Sequence, residues 1–252
     1  MKVEHFGLLV SSPKYGLYLT RNNYVMGSNK TTHGKDEEKF IAKKERYLEL
    51  IDNEELRLQV QNDINKMKQR NSKRDYNRET HIYNEAFIQS QTKDALTNFD
   101  INMSYYESLP RNEFNEALNT FLAVNKQFKE VTSIKDWENV HGHYMLILDN
   151  YKRCYIGMTN NIAKRIKEHW SKQMQLDRLI NGSVQKSILS INSFRALDTT
   201  RIFAQSYEDY SSSETEFSLV ESFDSRFVQN RTFGGIKSAN VAGLLKKELF
   251  TN

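Results

Sequence analysis

The chain has 252 residues, with 36 basic and 32 acidic side chains and a formal net charge of +4 at pH 7. A hydrophobic content of 38% and an aromatic content of 12% exclude a disordered chain. A mean hydropathy of −0.72, with no apolar run near the roughly 18 residues of a membrane helix, argues against a membrane-spanning helix, and one cysteine excludes a disulfide framework or a multi-cysteine zinc site.

The opening stretch MKVEHFGLLVSSPKYG has an acid at Glu4, a very short apolar stretch and no small-residue cleavage site, so it does not read as a signal peptide. A cytoplasmic protein is expected. The length suits one large domain or two small ones. Short alternating runs at Phe6–Val10, Gly16–Thr20 and Tyr24–Met26 predict two or three strands. Asn29–Lys35 reads as a polar loop. Residues 36–73 contain no glycine or proline, and two rows of apolar residues at helical spacing predict one or two charged-faced helices. The basic stretch Gln69–Glu79 reads as a loop. Ser108-Leu-Pro predicts a helix start, with Ser as the cap, and an apolar stripe through Phe114, Leu118, Phe121 and Phe128 carries the helix to about Glu130.

The pattern changes near residues 131–139, where a domain boundary is expected. Residues 1–138 hold 21 basic and 21 acidic side chains, whereas residues 139–252 hold 15 and 11. The whole positive excess therefore falls in the later half, which is compatible with a polyanionic partner there. Tyr144–Leu148 and Arg153–Gly157 flank Asp149-Asn-Tyr-Lys152 and predict a β-hairpin. Helices are expected over Asn160–Ser171, Val184–Ile191 and Ser213–Phe223, with a strand at Arg201–Gln205.

Alternation along the hairpin puts Tyr144, Tyr155 and Gly157 on one face, whether the turn has two residues or four. On the following helix Ile162, Ile166 and Trp170 form the buried stripe. Arg165 and His169 are four apart and stack beside it. Two phenols, a guanidinium and an imidazole can thus converge. An Arg binds phosphate oxygens in bidentate fashion and a His holds or moves a proton, so the set suits phosphoryl transfer. His141 and His143 read as a coincidental pair, and Cys154 as a small buried residue.

Gly142-His-Tyr144, ten residues, Tyr155-Ile-Gly157, then Thr159, Arg165 and His169 resembles the GIY-YIG nuclease family at every offset. Glu216-Phe-Ser-Leu-Val220 is similar to the family's metal-binding glutamate helix; Glu214 and Glu221 are nearby alternatives, though neither is followed by a Leu-Val pair at that offset, and Asn230 lies downstream. The resemblance covers roughly residues 140–232. It departs from the family pattern in Gly-His-Tyr for Gly-Ile-Tyr, in the missing proline after the glutamate helix and in the late Asn. It implies for this part a small antiparallel three-stranded sheet flanked by helices; the resemblance does not explain the mostly helical region with short strands before it, and the whole chain is expected to be α+β. Residues 139–252 would form the nuclease domain, and residues 1–138 a target-recognition or dimerisation part. It further implies a metal-dependent DNA endonuclease that hydrolyses phosphodiesters with Mg²⁺, or Mn²⁺ in its place, at Glu216. Tyr144, Tyr155, Arg165, His169 and Glu216 would be catalytic, with Gly157, Thr159 and Asn230 in support. The expected substrate is double-stranded DNA and the expected assembly a homodimer or higher oligomer. A sequence-specific restriction or phage-defence role comes first. A homing or repair nuclease, an RNA nuclease and a non-catalytic nucleic-acid binder are the alternatives.

Overall fold

The computed structural model describes residues 2–11, 16–25, 28–31, 76–77, 79–207 and 213–231, with scattered positions between 42 and 65. Strands β1 (Lys2–His5) and β2 (Leu8–Ser11) pair antiparallel, His5 opposite Leu8. Phe6 (φ 48°) and Gly7 (φ 73°) turn between them, the positive-φ pair that a tight hairpin demands. The sequence predicts a strand at Phe6–Val10, but the turn falls inside that run. Tyr24 lies in a short helix, α1 (Arg21–Val25), not in a strand.

The long helix α2 (Glu85–Ser108) is followed by α3 (Arg111–Val124). Pro110 stands at the N-cap of α3, whereas the Ser108 hydroxyl donates backwards to the Tyr105 carbonyl. Ser108 therefore closes α2 and does not open α3. The helix stops at Val124, not near Glu130, because Asn125 leaves helical geometry and its N–H caps the Phe121 carbonyl.

The main sheet contains β3 (Lys129–Glu130), β4 (Gly142–Leu148), β5 (Arg153–Thr159) and β6 (Arg201–Ser206), in the order β3-β6-β4-β5 and antiparallel throughout. It has four strands where three were expected, because Lys129 and Glu130 pair with Ala204 and Phe203. The turn at Asp149–Lys152 takes the longer register: Leu148 faces Arg153 and Lys152 is left-handed at φ 54°. Helix α4 (Ile162–Ser171) follows β5, and α5 (Ser213–Ser222) follows β6, both as expected. Val184–Ile191 is not a helix: a turn at residues 184–186 is followed by irregular backbone that leads into a 3₁₀ turn at Ile191–Ser193. Its carbonyls are held from α2: Asn98 donates to the Val184 and Ser187 carbonyls, and Asn102 to that of Ser187.

The chain divides into two compact units, and not at 138/139. Residues 1–27, 94–174 and 178–252 form one, because the first hairpin and α3 pack on the later half. His5 Nε2 donates to the Ala196 carbonyl (2.8 Å), Phe6 stacks on Trp170 (6.3 Å), and Phe114 and Phe121 meet Phe227 and Phe223. Residues 28–93 and 175–177 form the other. In it, bridges join Lys30 to Ile82 and Tyr76 to Tyr83, and Tyr83 stacks on Phe87 (4.2 Å). The described positions between 54 and 65 are helical. Most of the helical stretch expected over 36–73, of the 69–79 loop and of the Asn29–Lys35 loop lies outside the described residues. Among the described residues, no helix is long and apolar enough to cross a membrane.

The outer edge of β5 is sealed by residues 228–230. Gln229 N–H donates to the Cys154 carbonyl (2.7 Å), and the Asn230 amide exchanges two hydrogen bonds with the Ile156 backbone. Arg153, 1% exposed, binds this segment through the Arg226 and Val228 carbonyls and Gln229 Oε1 and lies over the Tyr106 ring (5.1 Å). A buried acceptor left without a partner costs about 1–3 kcal/mol. Arg153→Met leaves the Arg226 carbonyl with the Tyr105 hydroxyl and Gln229 Oε1 with the Tyr106 hydroxyl but takes the donor from the Val228 carbonyl, and is expected to lower the unfolding free energy by about 1–3 kcal/mol in urea titration. A loss below about 0.5 kcal/mol would show that the network contributes little.

Candidate active site

The face of the sheet that carries Tyr144 also carries Gly157 and Ala204, directly opposite it on β5 and β6. Both are small, and Gly157 has no alternative. A Cβ there would lie 2.5 Å from the Tyr144 hydroxyl and 2.6 Å from its Cζ. The room left by the glycine is thus filled by the phenol itself. Gly142 plays a similar part at the start of β4, where a Cβ would sit 1.9 Å from the Gln205 carbonyl oxygen.

Helix α4 covers this face. Thr159 Oγ accepts the Asn161 N–H (3.2 Å), and Asn161 Oδ1 caps the helix by accepting the Lys164 N–H (2.9 Å). Thr159 therefore acts as part of the turn that aims α4. Ile162, Ile166 and Trp170 are buried, as the spacing predicts, and His169 is buried with them. Tyr144 is fully buried, and its hydroxyl lies 2.7 Å from His169 Nε2. His169 Nδ1 lies 2.5 Å from Asn192 Oδ1. An amide oxygen only accepts, so Nδ1 carries the proton and Nε2 accepts from Tyr144. Tyr155, on the same face, meets the His169 ring edge-on at 5.1 Å and keeps part of its surface exposed. Arg165 is also partly exposed; its guanidinium interacts with both phenols and pairs with Glu168 (3.2 Å).

Glu216, on α5, is buried, and its Oε2 accepts the Met158 N–H (2.9 Å), one residue beyond Gly157. Its charge is felt by both Tyr144 and Tyr155. The structure thus brings together Tyr144, Tyr155, Arg165, His169 and Glu216. Asn230 does something else: both of its described hydrogen bonds go to Ile156, so it secures β5. Glu221, on the same helix as Glu216, is exposed. Asn192 has no counterpart in the sequence reading. It sits in a 3₁₀ turn, 23 residues from His169, and no local spacing connects the two.

The buried groups are held neutral. Burial drives the Tyr144 phenol well above its ordinary range; Tyr155 and Glu216 add to this and Arg165 opposes it. Burial, with Glu216, pushes Tyr155 up to about 12. Burial, with Arg165 next, takes His169 down to about 3. His143 lies in β4 between Tyr144 and Gly142, so its side chain is on the opposite face, bonded to Gln205 (2.9 Å). Burial takes it down to about 4.

Among the described residues, no group of three His, Cys, Asp or Glu side chains forms a metal cage. A single carboxylate beside phenolic oxygens nevertheless fits a hard ion such as Mg²⁺. That ion is commonly held by one or two carboxylates, with water and phosphate oxygens completing its shell. Comparison with protein-family models, curated proteins and solved structures finds no match to this chain.

Gly157→Ala is expected to displace Tyr144 and to cost about 1–3 kcal/mol by overpacking, read as a lowered urea midpoint; an unchanged midpoint would mean that β5 yields freely. The two buried histidines also predict acid sensitivity. Their folded pKa values lie below the usual 6.5, so the unfolded chain takes up protons first as pH falls. Their contribution is complete above pH 6.5 and is lost between 6.5 and about 4 for His143, and about 3 for His169. Each removes up to about 1.4 kcal/mol per pH unit inside its window. Urea unfolding of the wild type and His169→Gln at pH 7 and 4.5 checks this, the variant being expected to show the shallower pH dependence.

Proposed function

We propose that this protein is a metal-dependent endonuclease that hydrolyses phosphodiester bonds in double-stranded DNA, in a restriction or phage-defence role. One observation carries the reading: the Tyr144–His169–Asn192 hydrogen-bond chain ends beside Tyr155, Arg165 and Glu216 at one end of one sheet. Nothing in that set serves a packing need that plain aromatic or aliphatic residues would not meet at lower cost.

The attacking water loses its proton to the Tyr144 oxygen while the Tyr144 proton passes to His169 Nε2. This relay moves charge without ever placing a phenolate alone in the buried site. His169 is a weak base in the free protein, in part because Arg165 stands near it. A phosphate anion bound bidentately by Arg165 offsets that charge, so binding substrate makes the relay more basic. The same guanidinium stabilises charge that develops on the phosphoryl oxygens. Tyr155, partly exposed at the mouth, orients the phosphate or the water. Glu216 would hold a divalent ion, which would supply Lewis-acid stabilisation of the leaving 3′ oxygen. Cutting both strands usually takes two such sites, hence a homodimer or higher oligomer.

The test is cleavage of plasmid and phage DNA with Mg²⁺ or Mn²⁺, with EDTA, and with single variants. EDTA is expected to stop cleavage and added metal to restore it. Arg165→Ala and Glu216→Ala are expected to lose at least about 10²–10³-fold in rate, with folded spectra retained and DNA still bound by Glu216→Ala. Wild-type rates in Glu216→Ala would remove the metal assignment. Cleavage of RNA alone would replace DNA as the substrate, and no cleavage of any nucleic acid would overturn the reading.

A further inference from the structure

We propose that Asn192 is a positioning residue of this site: its amide oxygen holds the His169 imidazole protonated on Nδ1, so that Nε2 faces Tyr144 as a proton acceptor. Its effect on rate rests on the nuclease reading; the tautomer it selects does not.

The imidazole has two polar contacts, Tyr144 on Nε2 (2.7 Å) and Asn192 on Nδ1 (2.5 Å). A neutral ring has one donor and one acceptor nitrogen. If Nε2 carried the proton, the Nδ1 lone pair would face the amide oxygen. That clash vanishes when Nδ1–H donates to Asn192, and Nε2 is then left to accept from Tyr144. The charged groups acting on His169 are Arg165 and Lys172, on its own helix and at its end; both are cationic. Tyr144 and Tyr155 face it from β4 and β5, and both are neutral. A neutral amide therefore fixes the ring without adding a counter-charge to it.

Asn192 is itself well placed to fix something else. It is the middle residue of the Ile191–Ser193 3₁₀ turn, and both of its neighbours are buried. Its N–H donates to Ser190 Oγ (3.2 Å), and Arg195 Nη1 donates to its carbonyl (3.4 Å). Phe194, two residues on, is buried against Tyr151 (5.1 Å). The backbone that carries the amide is thus tied down on both sides, while the side chain reaches into the site. Asn192 acts through His169.

Nitrogen-15 NMR of the full chain, labelled at histidine, separates Nδ1–H from Nε2–H rings, and His169→Gln identifies the relevant signals. The wild-type His169 is expected as Nδ1–H. In Asn192→Ala the ring is expected to move to Nε2–H, with kcat for DNA cleavage down about 10–100-fold and KM unchanged. Asn192→Asp, which still offers an acceptor, is expected to keep Nδ1–H and to recover most of the lost kcat. A wild-type ring protonated on Nε2, or an Asn192→Ala protein with the wild-type tautomer and rate, would overturn the proposal. A wild type that cleaves no nucleic acid would instead sink the nuclease reading, and the nitrogen signals would still decide the hold of Asn192 on His169.

Discussion

The close approach of the Tyr144 ring to the Gly157 backbone sets the geometry of the whole site. It depends on register, because only the four-residue turn brings the two residues opposite each other. It also depends on the missing Cβ, whose place the phenol occupies. With the ring laid across β5, its hydroxyl meets His169 from α4. A one-residue slip would put every side chain of β4 on the wrong face. The strand resists such a slip: it is bonded along both edges and all seven of its residues are buried. Precision at one hydroxyl is thus inherited from an entire strand.

Electrostatically the site is a neutral interior with charges at its margin. Tyr144, Tyr155 and His169 are all shifted toward their uncharged forms, chiefly by burial. Arg165 keeps access to solvent, and Glu216 is tied to a backbone amide. In such a setting an incoming anion changes its neighbours more than it would in water, because the interior screens little. Proton affinities inside the cluster are therefore a property of what Arg165 is paired with, as much as of the protein.

The sequence is most legible where a period is undisturbed. The hairpin alternates, α4 repeats its apolar residues every four, and β6 and α5 are short and bounded by polar residues, so each is found close to its expected place. Helix α2 went unread because two positions of its buried stripe, Asn98 and Asn102, are asparagines. Those same amides explain the failed helix at Val184–Ile191. They supply from outside hydrogen bonds to the Val184 and Ser187 carbonyls that a helix would have made internally, so the segment can run as irregular backbone and present Asn192. Strand β3 is too short to show a period at all. The site was legible as far as residues linked by helix or strand geometry; a partner delivered by a turn 23 residues away left no local trace.

The seal along β5 has a consequence for solubility. An edge strand offers a row of unsatisfied amides and carbonyls to any neighbouring chain, and folded proteins suppress this hazard by covering or charging the edge. Here the cover is a short stretch of irregular backbone: Gln229 supplies an N–H to Cys154 and Asn230 imitates a pairing partner for Ile156. Arg153, from inside the sheet, holds the cover by its carbonyls. The buried Arg153, two residues before Tyr155 on the same strand, thus helps keep closed an edge that would otherwise be open to pairing with a second copy.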